Sequence, residues 1–133
     1  MNKKDVLQKI CDCGVVAVVR ADSADQAMKI ADSCIKAGIC AIEITFTVNG
    51  ALEVIKQLAQ VNKDGKILIG AGTILDPETA RAAILAGAQF IVSPCLNKEV
   101  VRLCNRYQIA CMPGAMTVKE AVEALEAGAD IIK

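Results

Sequence analysis

The sequence predicts an α/β fold in which six short parallel strands alternate with helices, and three observations support this prediction. Runs rich in valine and isoleucine, typical of strands covered on both faces, alternate with segments of helical periodicity. The 133 residues are 54% hydrophobic but contain few aromatic side chains, so small aliphatic groups must fill a core of helices layered on a sheet. A weak repeat of helix end, glycine and apolar strand recurs at 36–42, 85–91 and 126–132.

The predicted helices are delimited by capping residues and glycines. The first covers 2–13, because apolar residues recur there at helical spacing and Gly14 ends the pattern. Capping boxes at 23–26 and 117–120 begin two others, and an Asp-Pro pair at 76–77 begins a third. The predicted helices after the first are 23–37, 50–61, 76–86, 97–107 and 117–127.

The predicted strands are short apolar runs, bounded mostly by glycine or proline. The third leads into a small-residue turn at 70–73, and Pro94 and the pair 113–114 end the fourth and fifth. The sixth should be buried, and it ends on Lys133. The predicted strands are 15–20, 40–46, 66–70, 90–93, 109–112 and 128–133.

Strands and helices joined by short loops predict a parallel sheet with right-handed crossovers. An open doubly wound sheet is one solution, but compact units without a dinucleotide-type glycine loop favour the (β/α)8 TIM barrel. The prediction is a single domain, 1–133, holding about the first six strands and five connecting helices of such a barrel plus an N-terminal helix. Because a whole barrel needs eight units and about 250 residues, we expect either a truncated reading frame or a fragment of a longer protein.

Composition excludes several classes of function. Fifteen basic and fifteen acidic residues balance, so no charge field favours nucleic acid or an acidic membrane. A signal-peptide core and a long apolar run are both lacking, which predicts a soluble, cytoplasmic protein. With no histidine, proton transfer falls to carboxylates, lysines and cysteines.

The seven cysteines are scattered through apolar segments, so we expect small buried hydrophobic residues rather than disulfides. Cys11 and Cys13 could ligate a metal, but their spacing is too short for a zinc knuckle and no second pair exists. The prediction therefore includes no metal site.

In a barrel, chemistry lies where the strands end. Alternation along the second strand sends Glu43 to the face opposite Ile42 and Ile44, into the barrel. A lysine in an apolar pocket loses its proton more readily and can form a Schiff base with a carbonyl, which gives Lys133 a possible role. The alternatives are a solvated chain-terminal lysine and a structural ion pair at Glu43. The polar, proline and glycine residues at strand ends are Arg20, Glu43, Thr45, Thr73, Ser93, Pro94, Pro113, Gly114 and Lys133.

Five motifs occur in an order and spacing that resemble a known family. They are Val16-Ala17-Val18-Val19-Arg20-Ala21, Ala41-Ile42-Glu43-Ile44-Thr45-Phe46-Thr47, Ile69-Gly70-Ala71-Gly72-Thr73, Gly87-Ala88-Gln89-Phe90-Ile91-Val92-Ser93-Pro94 and Met112-Pro113-Gly114. From about Gly14 to Lys133 the chain resembles the bacterial 2-keto-3-deoxy-6-phosphogluconate (KDPG)/4-hydroxy-2-oxoglutarate (KHG) aldolases.

The resemblance implies a class I aldolase that needs no metal or other cofactor, acts on a small 2-oxo acid, releases pyruvate and forms a homotrimer. It implies Lys133 as the Schiff-base lysine and Glu43 as the general acid/base. Thr73 would hold the pyruvyl carboxylate with Arg20 nearby. The pocket wall would be shaped by Thr45, Pro94 and Gly114.

Two departures from the family pattern bear on substrate preference. Some members carry an arginine after the catalytic glutamate, where this chain has Thr47-Val48-Asn49, so Arg20 would take over anion recognition. The aromatic phosphate-facing segment and the glycine-rich phosphate loop of the family are also absent from the 133 residues. Another phosphate-binding barrel lyase or isomerase, or an inactive half-barrel serving assembly, therefore remain alternatives.

Overall fold

The computed structural model describes residues 1–62 and 65–133, and this part of the chain contains five strands and six helices. The strands form one sheet in chain order with every neighbouring pair parallel, as predicted for consecutive units of a barrel. The strands are β1 (Ala17–Val19), β2 (Ala41–Thr45), β3 (Leu68–Gly72), β4 (Phe90–Ser93) and β5 (Ala110–Pro113). The helices are α1 (Lys3–Cys13), α2 (Ala24–Lys36), α3 (Ala51–Val61), α4 (Pro77–Ala86), α5 (Lys98–Arg106) and α6 (Val118–Glu126).

Most of the predicted helix starts are confirmed by their caps. Four predicted N-cap side chains each accept a hydrogen bond from a backbone N–H in the first turn of their helix. They are Ser23, Asp76, Asn97 and Thr117. Thr117 forms the predicted reciprocal box with Glu120. At Ser23 only half of the predicted box forms. The Gln26 N–H donates to Ser23 Oγ at 3.3 Å, but Gln26 Oε1 accepts from the N–H of Asp22 at 3.0 Å and not from that of Ser23. The helix starts are thus set by local side-chain chemistry.

The third strand differs from its predicted bounds, since it covers Leu68–Gly72 and not 66–70. The 70–72 segment, expected in a turn, pairs with β2 up to Gly72, which lies opposite Thr45. A Cβ added at Gly70 would lie 2.2 Å from the Phe90 ring, so glycine here admits a bulky neighbour inside a strand. The turn follows at Thr73, whose φ of 59° is left-handed.

The sheet has two apolar faces, which confirms the predicted alternation along β2. Ile42 and Ile44 point outward and pack with residues of α2, α3, α4 and α5. The inner-face core is covered by the N-terminal helix α1. The buried residues of the inner-face core are Val6, Ile10, Ala41, Leu68, Phe90, Val92, Ala110 and Met112.

The predicted sixth strand is a half-buried segment, 129–133, that lies beside β5 without forming a regular strand. The Lys133 N–H donates to the Pro113 carbonyl at 3.0 Å, and the Lys133 carbonyl accepts from Ala115 at 2.9 Å. The backbone N–H groups of Asp130 and Ile131 both donate to the Cys111 carbonyl, at 3.1 and 3.5 Å. Because two successive donors share one acceptor, the segment lacks the evenly spaced hydrogen bonds of a parallel strand pair. The expectation of a fully buried strand was wrong because the segment pairs on one side only.

Within the described ranges, none of the helices has the length and apolar character needed to cross a membrane.

Candidate active site

The candidate site is an open cavity of 220 Å³ on the inner face of the sheet. Its walls are apolar except for one carboxylate, Glu43, and one amine, Lys133. The residues that line it are Val16, Val18, Glu43, Val92, Met112, Ile131 and Lys133. The cavity thus places two ionisable groups against aliphatic side chains, where charge is poorly solvated.

Glu43 lies in the middle of β2, between Val18 of β1 and Gly70 of β3 in the sheet register. Its residue is 2% exposed, and its Oε1 atom is buried without a hydrogen-bond partner in the described part of the chain. Ile42 and Ile44 face the opposite side of the sheet, as the alternation predicted, so the side chains of the inner cavity wall bury Glu43. A buried oxygen of this kind marks a position where a further group can bind.

Gly72 provides the space that the Glu43 carboxylate occupies. A Cβ added at Gly72 would lie 2.8 Å from Glu43 Oε1 and 2.9 Å from its Cδ. From the sequence this glycine was expected only in a turn, because its role depends on the register between two strands rather than on local sequence. It is a site residue that sequence reasoning missed.

Lys133 and Glu43, both predicted to lie at the site, come together. Lys133 Nζ lies 3.7 Å from Glu43 Oε1, within ion-pair range but longer than the roughly 2.7–2.9 Å of a charged hydrogen bond. The Lys133 side chain is 47% exposed, so the expected dry pocket encloses only part of it. The pair therefore joins a buried acid to an amine that solvent and substrate can both reach.

The electrostatics of the site favour a protonatable acid. Burial raises the pKa of the Glu43 carboxyl above its usual value of 4.5, and the positive charges of Lys133 and Arg20 partly oppose that rise. Arg20 itself follows β1 and is exposed. A raised pKa keeps the proton on a carboxyl to higher pH, which is the direction of shift that a general acid needs.

The other predicted site residues lie at the carboxyl ends of the strands, outside the cavity lining. Thr45 is buried, and its hydroxyl donates to the Val19 carbonyl at 3.1 Å and contacts Thr47 Oγ1 at 2.8 Å. Thr73 is half-buried beyond the end of β3. The positions of these threonines follow from the β2–β3 register, which ends at Thr45 and Gly72.

Pro94 and Gly114 meet each other at the ends of β4 and β5. The Gly114 N–H donates to the Ser93 carbonyl at 2.9 Å, and a Cβ at Gly114 would lie 2.2 Å from the Pro94 carbonyl oxygen. Pro94 is exposed and Gly114 is buried. Pro94 and Gly114 were expected to shape the cavity wall, but five valine, isoleucine and methionine residues line it instead. The period-two alternation of the strands could have predicted these lining residues.

The cysteines do not gather into a metal site within the described ranges: no group of three or more potential Cys, Asp, Glu or His ligands occurs there. Cys104 and Cys111 are buried, as expected for small apolar residues, whereas Cys11 and Cys95 are exposed.

Comparison with known proteins identifies the family. The family model for KDPG and KHG aldolase matches residues 6–133. A 2-dehydro-3-deoxy-phosphogluconate aldolase of Treponema pallidum is 38% identical over 119 residues, which are 90% of this chain and 56% of that protein. A 2-dehydro-3-deoxy-6-phosphogalactonate aldolase of Escherichia coli is 37% identical over 119 residues, covering 90% and 58%.

A solved structure shows the same fold with a bound intermediate. It is KDPG aldolase from Legionella pneumophila, with pyruvate captured as a covalent carbinolamine, at a TM-score of 0.77 and 28% identity over 85% of this chain and 54% of that one. The chain thus spans a little over half the length of each of these proteins. The five motifs, the parallel fold and the family model agree, and the chain belongs to the KDPG and KHG aldolase family.

Proposed function

We propose that the protein is a class I aldolase that cleaves a 2-keto-3-deoxy acid through a Schiff base on Lys133. Its substrates would be KDPG, giving pyruvate and glyceraldehyde 3-phosphate, or 4-hydroxy-2-oxoglutarate, giving pyruvate and glyoxylate. The observation that carries the proposal is the 3.7 Å approach of Lys133 Nζ to Glu43 Oε1 in an apolar cavity. Imine chemistry requires an amine nucleophile beside a group that can move protons.

The proposed reaction follows from these two groups. The free amine of Lys133 attacks the C2 carbonyl to form a carbinolamine, and Glu43 donates the proton with which the hydroxyl leaves as water. The resulting protonated imine accepts the electron pair of the breaking C3–C4 bond while Glu43 takes the proton of the C4 hydroxyl. Glu43 then returns a proton to C3 of the enamine, and hydrolysis of the imine frees pyruvate and the lysine.

Binding would combine the cavity with the strand ends above it. At 220 Å³ the cavity is smaller than the roughly 300–1,000 Å³ of typical ligand pockets, which suits a three-carbon pyruvyl unit. We propose that Thr73 and Arg20 hold the substrate carboxylate, the arginine through paired donors. Thr45, Pro94 and Gly114 would shape the rim at the carboxyl ends of their strands.

Borohydride trapping tests the Schiff base. The chain is incubated with pyruvate and reductant, digested with trypsin and analysed by mass spectrometry. We expect one reduced pyruvyl group on Lys133, in the peptide 120–133, and none in Lys133→Ala. Lys119→Ala is the matched control, because Lys119 lies on α6 with a highly exposed side chain. Lack of an adduct at Lys133, or equal labelling of other lysines, would contradict the proposal.

Turnover distinguishes cleavage from imine formation alone. Pyruvate release is measured with KDPG, 4-hydroxy-2-oxoglutarate and 2-dehydro-3-deoxy-6-phosphogalactonate, because the two relatives named for phosphogluconate and phosphogalactonate are almost equally similar. We expect slow turnover because the Lys133 side chain is half exposed. Glu43→Gln should lower it by about 10²–10⁴-fold. A folded chain that forms no adduct and releases no pyruvate would favour the inactive half-barrel.

We further propose a single domain over 1–133, a homotrimer and a cytoplasmic location. The trimer is what the resemblance to the family implies, and the location is proposed from the membership of the chain in a family whose relatives are named as aldolases of phosphorylated sugar acids. Light scattering coupled to size-exclusion chromatography measures the oligomer directly. A monomer at micromolar concentration would contradict the trimer.

A further inference from the structure

Two cysteines from different parts of the chain meet on the side of the sheet where α1 ends. Cys13 is the last residue of α1, and Cys40 immediately precedes β2. The backbone N–H of Cys40 donates to Cys13 Sγ at 3.4 Å. Both residues are partly exposed, whereas the other neighbouring pair, Cys104 and Cys111, is fully buried.

This contact fixes the sulfur of Cys13 against the backbone nitrogen of Cys40, which lies 27 residues further along the chain. A rotation of the Cys40 side chain between staggered rotamers moves its thiol relative to that fixed sulfur. The two thiols also interact: the neighbouring Cys40 thiol lowers the pKa of Cys13, while burial and the Cys13 thiol raise the pKa of Cys40. One thiol is thus prepared to ionise and the other to stay protonated.

We infer that Cys13 and Cys40 form a redox-modifiable pair, which a hydroperoxide converts to an intramolecular disulfide. The Cys13 thiolate attacks the O–O bond of hydrogen peroxide and becomes a sulfenic acid, releasing hydroxide that is protonated to water. The Cys40 thiol then attacks the sulfenic sulfur, and a second water leaves as the S–S bond forms. In total two thiols and one peroxide give one disulfide and two waters.

The link would add a covalent bond between the end of α1 and the start of β2, which are now joined here by the Cys40 N–H to Cys13 Sγ contact. Cys13 contacts the inner-face core, which α1 covers with Val6 and Ile10. Cys40 leads directly into the strand that carries Glu43. Oxidation would therefore fasten α1 to the start of β2 and restrict the unfolded chain, which raises thermal stability.

Peptide mapping after mild oxidation tests the inference. The chain is treated with a small excess of hydrogen peroxide, blocked with N-ethylmaleimide and digested with trypsin. We expect one cross-linked species that joins peptides 10–20 and 37–56 and lacks two hydrogens, with Cys104 and Cys111 still reduced. The melting temperature should rise by about 5 °C and return on reduction.

Cysteine variants identify the sulfurs, because peptide 10–20 carries both Cys11 and Cys13. Cys11→Ser, at an exposed position, is the matched control and should keep the link. Cys13→Ser and Cys40→Ser should each abolish it. A link that persists in Cys13→Ser, a link between two chains, or over-oxidised cysteines without any link would overturn the inference.

Discussion

The Glu43 carboxyl combines deep burial with a nearby positive charge, and these two influences oppose each other. Burial is the larger and raises its pKa, while Lys133 and Arg20 moderate the rise. An ion pair closed to hydrogen-bond distance would give Glu43 Oε1 the hydrogen-bond partner that it lacks at 3.7 Å from Lys133 Nζ. The geometry thus favours a functional role for this acid over a purely structural one.

The raised pKa of Glu43 predicts how stability changes with pH. The unfolded carboxyl titrates near 4.5 and the folded one higher, so its contribution is full below about pH 4.5 and is lost as pH rises through the folded-state pKa. We expect Glu43→Gln, which cannot ionise, to gain stability relative to wild type as pH increases. Urea unfolding between about pH 4 and pH 8 measures the difference.

Glu53→Gln is the control for this pH series. Glu53 is exposed on α3, where its carboxylate accepts a hydrogen bond from Gln57, so this variant measures the effect of removing a surface carboxylate under the same conditions. A Glu43→Gln difference that stays constant or shrinks with rising pH would contradict a raised pKa.

Gly72 leads to a second prediction at the level of single residues. Gly72→Ala places a methyl group against the Glu43 carboxylate, and such overpacking costs about 1–3 kcal/mol. In a Glu43→Ala background the methyl group has room, so the two changes together should cost less than the sum of each alone. Strictly additive free energies of unfolding would show that Gly72 does not act through Glu43.

Individual elements were largely predictable from the sequence because their signals are local. Phe90–Ser93 has its predicted bounds, and the caps at Asp76 and Thr117 set helix starts without help from distant residues. The bounds of β3 were wrong because its glycines serve partners on other strands, Phe90 and Glu43, which local sequence cannot reveal. The prediction of a buried sixth strand was wrong for a related reason, since the burial of a strand depends on the strands beside it.

The candidate site was also predictable only in part. Period-two alternation placed Glu43 on the inner face, and the position of Lys133 at the end of the last apolar segment placed it at the same cavity. The exposure of Lys133 and the contact of Gly114 with Pro94 depend on the three-dimensional arrangement of several units. Sequence reasoning therefore identified the ionisable groups more accurately than it identified the walls around them.

A mostly buried ion pair connects helix α1 to the final segment of the chain. Lys3 Nζ lies 2.9 Å from Asp130 Oδ2 and donates to Asn105 Oδ1 at 2.8 Å, with both charged side chains mostly buried. Lys3→Ala leaves the Asp130 carboxylate poorly compensated, so we expect a loss of about 1–3 kcal/mol in unfolding free energy.

Lys4→Ala provides the comparison for this ion pair. Lys4 is the next residue of the same helix and is exposed, so its replacement should change stability by less than about 0.5 kcal/mol. Equal effects of the two substitutions on denaturant midpoints would mean that the Lys3 contact contributes nothing specific.

At the scale of the whole molecule, the two faces of the sheet are covered unequally. Four helices pack on the outer face, whereas the inner face is covered by α1 at one end and opens into the cavity at the other. Val18, on this inner side of β1, is 41% exposed. Stability of the inner face should therefore depend strongly on α1.

Ile10→Ala tests this dependence. Ile10 is 7% exposed within the inner-face core, and truncating such a residue costs about 2–5 kcal/mol. Leu85→Ala is the control, since Leu85 is 71% exposed on α4 and its loss should be nearly neutral. Similar denaturation curves for the two variants would show that α1 is not required to hold the inner face together.

The backbone of Lys133 is held by two hydrogen bonds that do not involve its side chain. Because its amide and carbonyl are both fixed by 113–115, shortening the side chain to alanine should vacate space without moving the backbone. A small primary alkylamine supplied in the buffer could then enter from solvent and supply an amine beside Glu43, in the place of the nucleophile that we propose.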